Sequence, residues 1–214
     1  MWRVIMLYQY LLENYPEKGE PIFLSELPGI SKNRISQEMM KLVDSGKVKR
    51  YQPGVFYLPY QVYGIEGGLN FESYLQKKYI KAKDEVIGYQ TGIAIANYCG
   101  LTSQHEAWYE IKTNRASSKQ RKLIVDGRTI VLYQPVVTIT KDNWAALQFL
   151  DLMTYIDIYC DISYQQCLNR LHNFIRSRSL NFKTVKKYLP YYPDRVYRNL
   201  YERGIMGELV SKSK

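Results

Sequence analysis

The chain has 214 residues, a formal net charge of +10 and an isoelectric point near 9.3. Its 46% hydrophobic content, with only 8 prolines and 13 glycines, excludes a mostly disordered chain and predicts one large or two modest globular domains. No apolar run approaches the roughly 18 to 20 residues of a membrane-spanning helix, and the first 20 residues lack a signal-peptide cleavage pattern. We therefore expect a cytoplasmic protein that binds no membrane and whose charge favours nucleic acid.

Residues 1–60 have the pattern of a winged helix-turn-helix domain. Leu7 and Leu11 lie at helical spacing in a first helix, a short helix follows near residue 24, and Pro28 and Gly29 predict a sharp turn. Ser31 is suited to the N-cap of the next helix, which ends before a glycine at position 46. This helix has one apolar and one polar face, as a helix that packs on a core and contacts DNA requires.

The basic segment that follows, with its turn at Pro53 and Gly54, predicts a two-stranded wing. Residues 31–52 contain six basic and two acidic side chains, so the charge is concentrated on this helix and wing. We expect Asn33 and Arg34 to contact bases, while lysines and arginine of the wing hold the phosphate backbone. The predicted DNA-binding residues are Ser31, Lys32, Asn33, Arg34, Gln37, Lys41, Lys47, Lys49, Arg50 and Gln52. The alternative is a winged helix that contacts only proteins.

Behind the wing, residues 61–81 are interrupted by glycines and predict a linker that includes a short connecting helix over 71–79. The segment 82–214 then predicts a second α+β domain. Its expected elements are a small-residue helix over 88–104, strands over 108–113 and 136–140 and a hairpin at Asp126 and Gly127 between them, followed by helices over 142–159, from Ser163, over 182–188 and over 195–203. The sequence thus indicates a small antiparallel sheet and a helical C-terminal third.

Residues 170–214 carry eleven basic and three acidic side chains, interleaved with tyrosines. This composition suits either a nucleic-acid surface with stacking rings or a solvated helical face whose tyrosines pack inward, and the sequence favours neither. Cys160, Cys167 and His172 would give a metal only three ligands, without a CxxC pair. Phosphate-binding and dinucleotide motifs are absent from the sequence, so we predict no metal, no cofactor and no catalytic residue.

The segment GYQTGIAIANYCGLTSQ, followed by EIKTN, resembles the C-terminal domain of AbiEi-type antitoxins. These are the antitoxin and autoregulator halves of bacterial type IV toxin–antitoxin pairs, which act in abortive infection. The resemblance implies a winged-helix domain that binds operator DNA at its own promoter as a repressor. It also implies a functional partner, a nucleotidyltransferase-like toxin, that is countered without a tight complex. The motif residues carried over are Gly88, Tyr89, Thr91, Gly92, Asn97, Thr102, Gln104, Glu110 and Asn114.

Two other functions fit parts of the sequence. A stand-alone transcription factor would use its second domain to sense a ligand or to dimerise. A nuclease of the PD-(D/E)XK type would use Glu110 and Lys112, which a strand places on one face, with an uncertain second carboxylate at Asp84 or Glu85. Because E-x-K is a common tripeptide, we expect the chain not to be an enzyme.

Overall fold

The computed structural model describes residues 2–28 and 31–211, and the protein is an α+β protein. Gly29 of the expected turn and Lys212 and Lys214 of the basic end lie outside the described residues. The chain divides into two compact units, Met1–Lys78 and Tyr79–Lys214, and this division falls within the range 61–81 that the sequence assigns to a linker. None of the helices in the described part of the chain is long and apolar enough to cross a membrane.

The first unit begins with two helices and a three-stranded sheet. Its elements are α1 (Trp2–Asn14), β1 (Ile22–Phe23), a 3-10 turn (Leu24–Glu26), α2 (Lys32–Asp44), β2 (Lys49–Gln52) and β3 (Val55–Tyr57). The strand order is β1-β3-β2, and both pairings are antiparallel. Leu7 and Leu11 of α1 and Met39 and Leu42 of α2 are buried in one core, so the two amphipathic helices share an apolar interior.

Helix α2 ends where the sequence predicts. Gly46 adopts a φ of +71°, and the amide of Lys47 donates to the carbonyl of Leu42 at 3.0 Å, which is the closing bond of a Schellman motif. The start of the helix differs from the expectation in one respect. Ser31 occupies the N-cap position in an extended conformation, but its side chain makes no capping hydrogen bond; only its carbonyl accepts from the first turn.

The range expected to be a linker contains regular structure. It holds the hairpin β4 (Tyr60–Val62) and β5 (Ile65–Gly67), then α3 (Phe71–Leu75), which continues as a π-helical turn over Gln76–Ile80. The Asn70 side chain caps α3 by accepting from the amide of Ser73 at 3.0 Å, while the amide of Asn70 donates to the carbonyl of Gly19 at 2.7 Å. These contacts explain why residues 60–78 belong to the first unit.

The second unit combines a four-stranded sheet with a helical C-terminal part. Its strands are β6 (Lys81–Ala82), β7 (Glu85–Val86), β8 (Gly88–Gln90), β9 (Tyr109–Thr113), β10 (Gln120–Val125) and β11 (Arg128–Tyr133), and β6 and β7 pair separately. Its helices are α4 (Ile93–Tyr98), α5 (Trp144–Tyr159), α6 (Tyr164–Ser177), α7 (Phe182–Tyr188), α8 (Asp194–Glu202) and α9 (Ile205–Ser211), with a 3-10 turn over Leu189–Tyr191. The sheet order is β10-β11-β9-β8, in which β9 and β11 are parallel and the other pairs antiparallel.

Helix α5 is the centre of this unit. Ten of its sixteen residues are buried, including the polar Gln148 and Asp151, and its apolar residues form one core with those of α4, α6, α7, α8 and α9. The hairpin between β10 and β11 turns at Asp126 and Gly127, both with positive φ, as a type I′ turn requires. Helix α6 begins with the capping box of Ser163 and Gln166 that the sequence predicts.

Two sequence-based expectations for this unit are wrong, and one helix was not expected. The range 88–104 is not one helix, because β8 pairs with β9 and Gly92, with φ +70° and ψ −146°, separates the strand from the short helix α4. Residues 136–140 form no strand; instead the Asn114 side chain bonds the amide and carbonyl of Ile139 at 2.9 and 2.8 Å. The sequence also gave no sign of helix α9.

Gly127 in the hairpin turn allows the cost of a positive φ to be measured without any effect from side-chain packing. A Cβ atom at Gly127 or at Gly207 would meet no atom within 4 Å, but only Gly127 has a positive φ, of +71°. Gly127→Ala should therefore lower the free energy of unfolding by about 1 kcal/mol, since a side chain disfavours this conformation. Gly207→Ala, in a helix, should raise it by up to about 1 kcal/mol. Urea denaturation of both variants checks this, and equal effects would contradict it.

Candidate functional site

The exposed face of α2 carries every side chain of that helix that the sequence assigns to DNA. These are Lys32, Asn33, Arg34, Gln37 and Lys41, all exposed, while the buried residues of the helix are Ile35, Met39 and Leu42. The guanidinium of Arg34 lies 3.9 Å from Glu38, and its side chain is 55% exposed. Such a surface pair contributes little and leaves the arginine accessible.

The four residues that the sequence assigns to a wing, Lys47, Lys49, Arg50 and Gln52, differ in what they contact. Lys47 and Arg50 are exposed, and the Lys47 ammonium lies 4.9 Å from the ring centroid of Tyr8. Lys49 is paired with Glu66 at 3.0 Å, and the hydrogen bond and charge of Glu66 raise the pKa of Lys49. Gln52 donates to the hydroxyl of Tyr74 at 2.8 Å. Two of the four predicted wing contacts are thus occupied within the unit.

The second unit contains a cavity of about 240 Å³ between its sheet and helix α5. Three tyrosines form much of its wall: Tyr133 from β11 and Tyr155 and Tyr159 from α5. The remaining lining residues are Thr91, Gly92, Glu110 and Lys112. Glu110 and Lys112 both face the cavity because alternate residues of β9 lie on the same side of the sheet.

Glu110 is held at the cavity by its neighbours. The hydroxyl of Tyr133 donates to Glu110 Oε1 at 2.7 Å. Burial, followed by this hydrogen bond, raises the pKa of the Tyr133 hydroxyl, which therefore stays a neutral donor at physiological pH. On the other side, a Cβ atom at position 92 would collide with Glu110 Oε2, so Gly92 leaves the room that the carboxylate occupies.

Lys112 does not pair with Glu110 but forms an ion pair with Asp151. Its ammonium lies 2.6 Å from Oδ1 of Asp151, a carboxylate that is 3% exposed, and Tyr89 donates to Oδ2 of the same residue at 2.8 Å. The pKa of Asp151 is raised by burial, and Lys112, Tyr89 and Tyr192 oppose that shift. Burial also raises the pKa of Tyr89 and of Tyr192, so both rings stay neutral around the ion pair.

The other motif residues have structural contacts. The amide of Asn97 donates to the carbonyls of Thr102 and Gln104, at 3.3 and 3.1 Å, and the Thr102 hydroxyl donates to Asp161 at 2.6 Å. Gly88 lies where a Cβ atom would collide with the carbonyl oxygen of Tyr79. Together with the Asn114 bonds to Ile139, these contacts hold the loops that follow α4, β9 and β11.

Of the nine motif residues, Thr91, Gly92 and Glu110 line the cavity, and Tyr89 contacts the ion pair. Sequence reasoning missed the three tyrosines, Asp151 and Tyr192. A signal for part of this set was present: Asp151, Tyr155 and Tyr159 recur every four residues in a helix that is otherwise mostly apolar. A buried acid in such a helix predicts a charged partner.

The geometry also bears on the nuclease alternative. Glu110 and Lys112 share the cavity as that alternative requires, but the Lys112 ammonium is bonded to Asp151, and the lining includes neither Asp84 nor Glu85. Among the described residues, no group of three or more histidine, cysteine or acidic side chains is placed to hold a metal ion. The three cysteines are free thiols.

The basic C-terminal range 170–214 has mixed surroundings. Several of its cations are engaged within the unit: Arg176 pairs with Glu208, Arg203 pairs with Asp157, and Arg178 lies 4.6 Å from the ring centroid of Trp144. Tyr191, Tyr197 and Tyr201 are exposed, whereas Tyr192 is buried. The surface combines exposed rings with partly neutralised charge.

Comparison with known proteins adds no family to this description. No protein-family model matches the chain, and a search of curated proteins finds no match.

The buried ion pair can be tested against an exposed one on the same helix. Asp151→Ala should lower the free energy of unfolding by about 3–5 kcal/mol, because it leaves the Lys112 ammonium without its partner. Asp157→Ala removes an ion pair to Arg203 of 2.8 Å, but its side chain is 53% exposed, so the loss should stay below about 1 kcal/mol. Denaturant unfolding of both variants measures the difference, and similar losses would refute the buried role.

Proposed function

We propose that this protein is a transcriptional autoregulator that binds operator DNA through a winged helix-turn-helix in its first unit. We further propose that it is the antitoxin of a type IV pair and counters a nucleotidyltransferase-like toxin without a tight complex. The observation that carries the DNA-binding proposal is the surface of α2, on which five polar or basic side chains are exposed while the buried side chains of the helix are all apolar. The antitoxin proposal rests on the sequence resemblance.

The order of elements in the first unit supports the winged-helix assignment. Helix α1, strand β1, a short 3-10 turn and helix α2 are followed by the β2–β3 hairpin, and β1 completes the sheet beside β3. An α-helix fits the major groove of B-DNA, and the arginine and asparagine in the first turn of α2 have the donors that recognise base edges there. The 3-10 turn replaces the full second helix of a standard helix-turn-helix.

Within the wing, the contacts favour Lys47 and Arg50 as phosphate ligands. Both side chains are exposed, and among the described residues no ion pair involves either of them. Lys49 would first have to leave Glu66, and Gln52 would have to leave Tyr74. Phosphate contacts set affinity and its salt dependence, whereas base contacts set sequence preference.

Two arginines test this division of roles with the same change of charge. Arg34→Ala should cost roughly 1–3 kcal/mol on the DNA upstream of the gene and relax the preference at one base pair. Arg50→Ala should weaken operator and shuffled DNA alike and reduce the slope of log affinity against log salt by about one. Gel shifts over a salt series measure both. Equal losses of Arg34→Ala on the two DNAs would remove α2 from base recognition.

A second candidate function has its own supporting observation. The cavity lined by Glu110 and the three tyrosines would suit a stand-alone winged-helix transcription factor whose second unit senses a ligand. A downstream gene for a nucleotidyltransferase favours the antitoxin, and the lack of one favours the stand-alone regulator. The metal-dependent nuclease remains a third candidate, for which the E-x-K pair on β9 is the only support.

Two full-length variants test whether regulation and antitoxin activity are separate. Arg34→Ala should lose promoter repression and keep growth rescue from the cognate toxin. Gly92→Leu should do the reverse, because its side chain collides with Glu110, and overpacking of this kind costs about 1–3 kcal/mol. Growth rescue and a promoter reporter are read in one strain, with Gly207→Ala as the neutral control and protein levels checked. Rescue that always falls together with DNA binding would mean that repression alone protects the cell.

A further inference from the structure

We propose that the tyrosine-lined cavity of the second unit is a binding site for a small free organic cation, carrying an alkylammonium or guanidinium group. This goes beyond the DNA-binding and antitoxin functions and does not depend on them. The proposal rests on the charge balance of the cavity, on the way its carboxylate is held, and on its aromatic wall.

The charge balance of the cavity is negative. Lys112 is the one cation among its lining residues, and Asp151 neutralises that ammonium at 2.6 Å. Glu110 has no ion pair within the part of the chain that the structure describes; its hydrogen-bond partner is the neutral hydroxyl of Tyr133. One uncompensated carboxylate in a cavity of about 240 Å³ attracts a small cation and repels an anion.

The carboxylate is positioned by a site that only glycine fits and by a directed hydrogen bond. Gly92 has a φ of +70° and a ψ of −146°, a region that residues with a side chain rarely adopt. At that position any Cβ atom would occupy the space of Glu110 Oε2. Tyr133 fixes the other oxygen at 2.7 Å. A glycine that no residue with a Cβ atom could replace and a directed hydrogen bond, both acting on the same carboxylate, indicate a built site and not an accidental gap in packing.

The aromatic wall of the cavity is a second feature that favours a cationic ligand. Three tyrosine rings line it, and the rings of Tyr155 and Tyr159 have centroids 5.9 Å apart with an interplanar angle of 45°. Aromatic rings around a carboxylate form the arrangement that binds quaternary ammonium groups. The Tyr155 ring already contacts one cation, the Arg195 guanidinium at 4.9 Å, and Arg195 is not among the cavity's lining residues.

Two of the three tyrosines, Tyr133 and Tyr159, have raised pKa values, so they remain neutral and add no charge to the cavity. Burial, with the nearby Glu110 carboxylate as the next cause, raises the pKa of Tyr159 to about 12. The cavity volume of about 240 Å³ is below the usual range for sites that bind larger metabolites. The ligand should therefore have only a few heavy atoms.

The test titrates three probes into the protein by calorimetry. Two are the cations choline and methylguanidinium, and the third has the shape of choline without its charge. Choline and methylguanidinium should bind, while 3,3-dimethylbutan-1-ol, the neutral isostere of choline, should bind at least about tenfold more weakly. Glu110→Gln should lose about tenfold or more in choline affinity. Glu202→Gln, which removes an exposed carboxylate elsewhere in the unit, should leave the affinity unchanged.

Tyr155→Ala provides a second variant that is safe for folding, because this side chain is 40% exposed, and it should weaken choline by a similar factor. Melting temperatures of all variants are compared first. Equal affinity for choline and its neutral isostere would overturn the proposal, as would unchanged affinity in Glu110→Gln or no binding by either cation. Binding of a blocked arginine tripeptide much more tightly than methylguanidinium would assign the cavity to a protein side chain and overturn the free-ligand assignment.

Discussion

The ion pair between Lys112 and Asp151 is the interaction on which the second unit depends. It joins β9, at the centre of the sheet, to α5, the helix around which the other helices pack. Taking two charges out of water costs several kcal/mol per ion, so a pair in such a position must satisfy its remaining hydrogen-bonding capacity. Tyr89 supplies one bond from β8, and the Tyr192 ring lies 5.9 Å from the Lys112 ammonium. This polar contact inside an apolar interior thereby fixes the position of α5 relative to the sheet.

This pair also determines the character of the cavity beside it. If Lys112 were free, it would neutralise Glu110 two residues earlier on the same strand face, and the cavity would be an internal salt bridge. Asp151 binds the lysine instead and leaves Glu110 to the hydroxyl of Tyr133. The pairing of Lys112 with Asp151 thus leaves the half-buried carboxylate of Glu110 without a cation, and the chemistry of the site follows from that.

Elements whose signals are local could be predicted from the sequence. The hairpin at Asp126 and Gly127, the capping box at Ser163 and the end of α2 at Gly46 each depend on a few neighbouring residues, and each is present. The errors lie where distant residues decide. Residues 88–90 form a strand because β9 offers a partner, and residues 136–140 are held by an Asn114 side chain 25 positions away. The shared face of Glu110 and Lys112 followed from strand periodicity, but the tyrosine wall needed the packing of α5 on the sheet, which no local pattern specifies.

Overall charge describes only part of such a protein. A net charge of +10 directs attention to nucleic acid, and the exposed face of α2 agrees with that sign. The same number conceals a negative cavity in the other unit, because one carboxylate contributes little to a sum of fifty charged side chains. Local charge depends on which residues pair: Lys49 is opposed by Glu66 and Lys112 by Asp151, while Arg50 and Glu110 have no ion pair among the described residues. Recognition chemistry therefore has to be derived from the charges that the fold leaves unpaired at each site, and in this chain those at the α2 surface and at the cavity are of opposite sign.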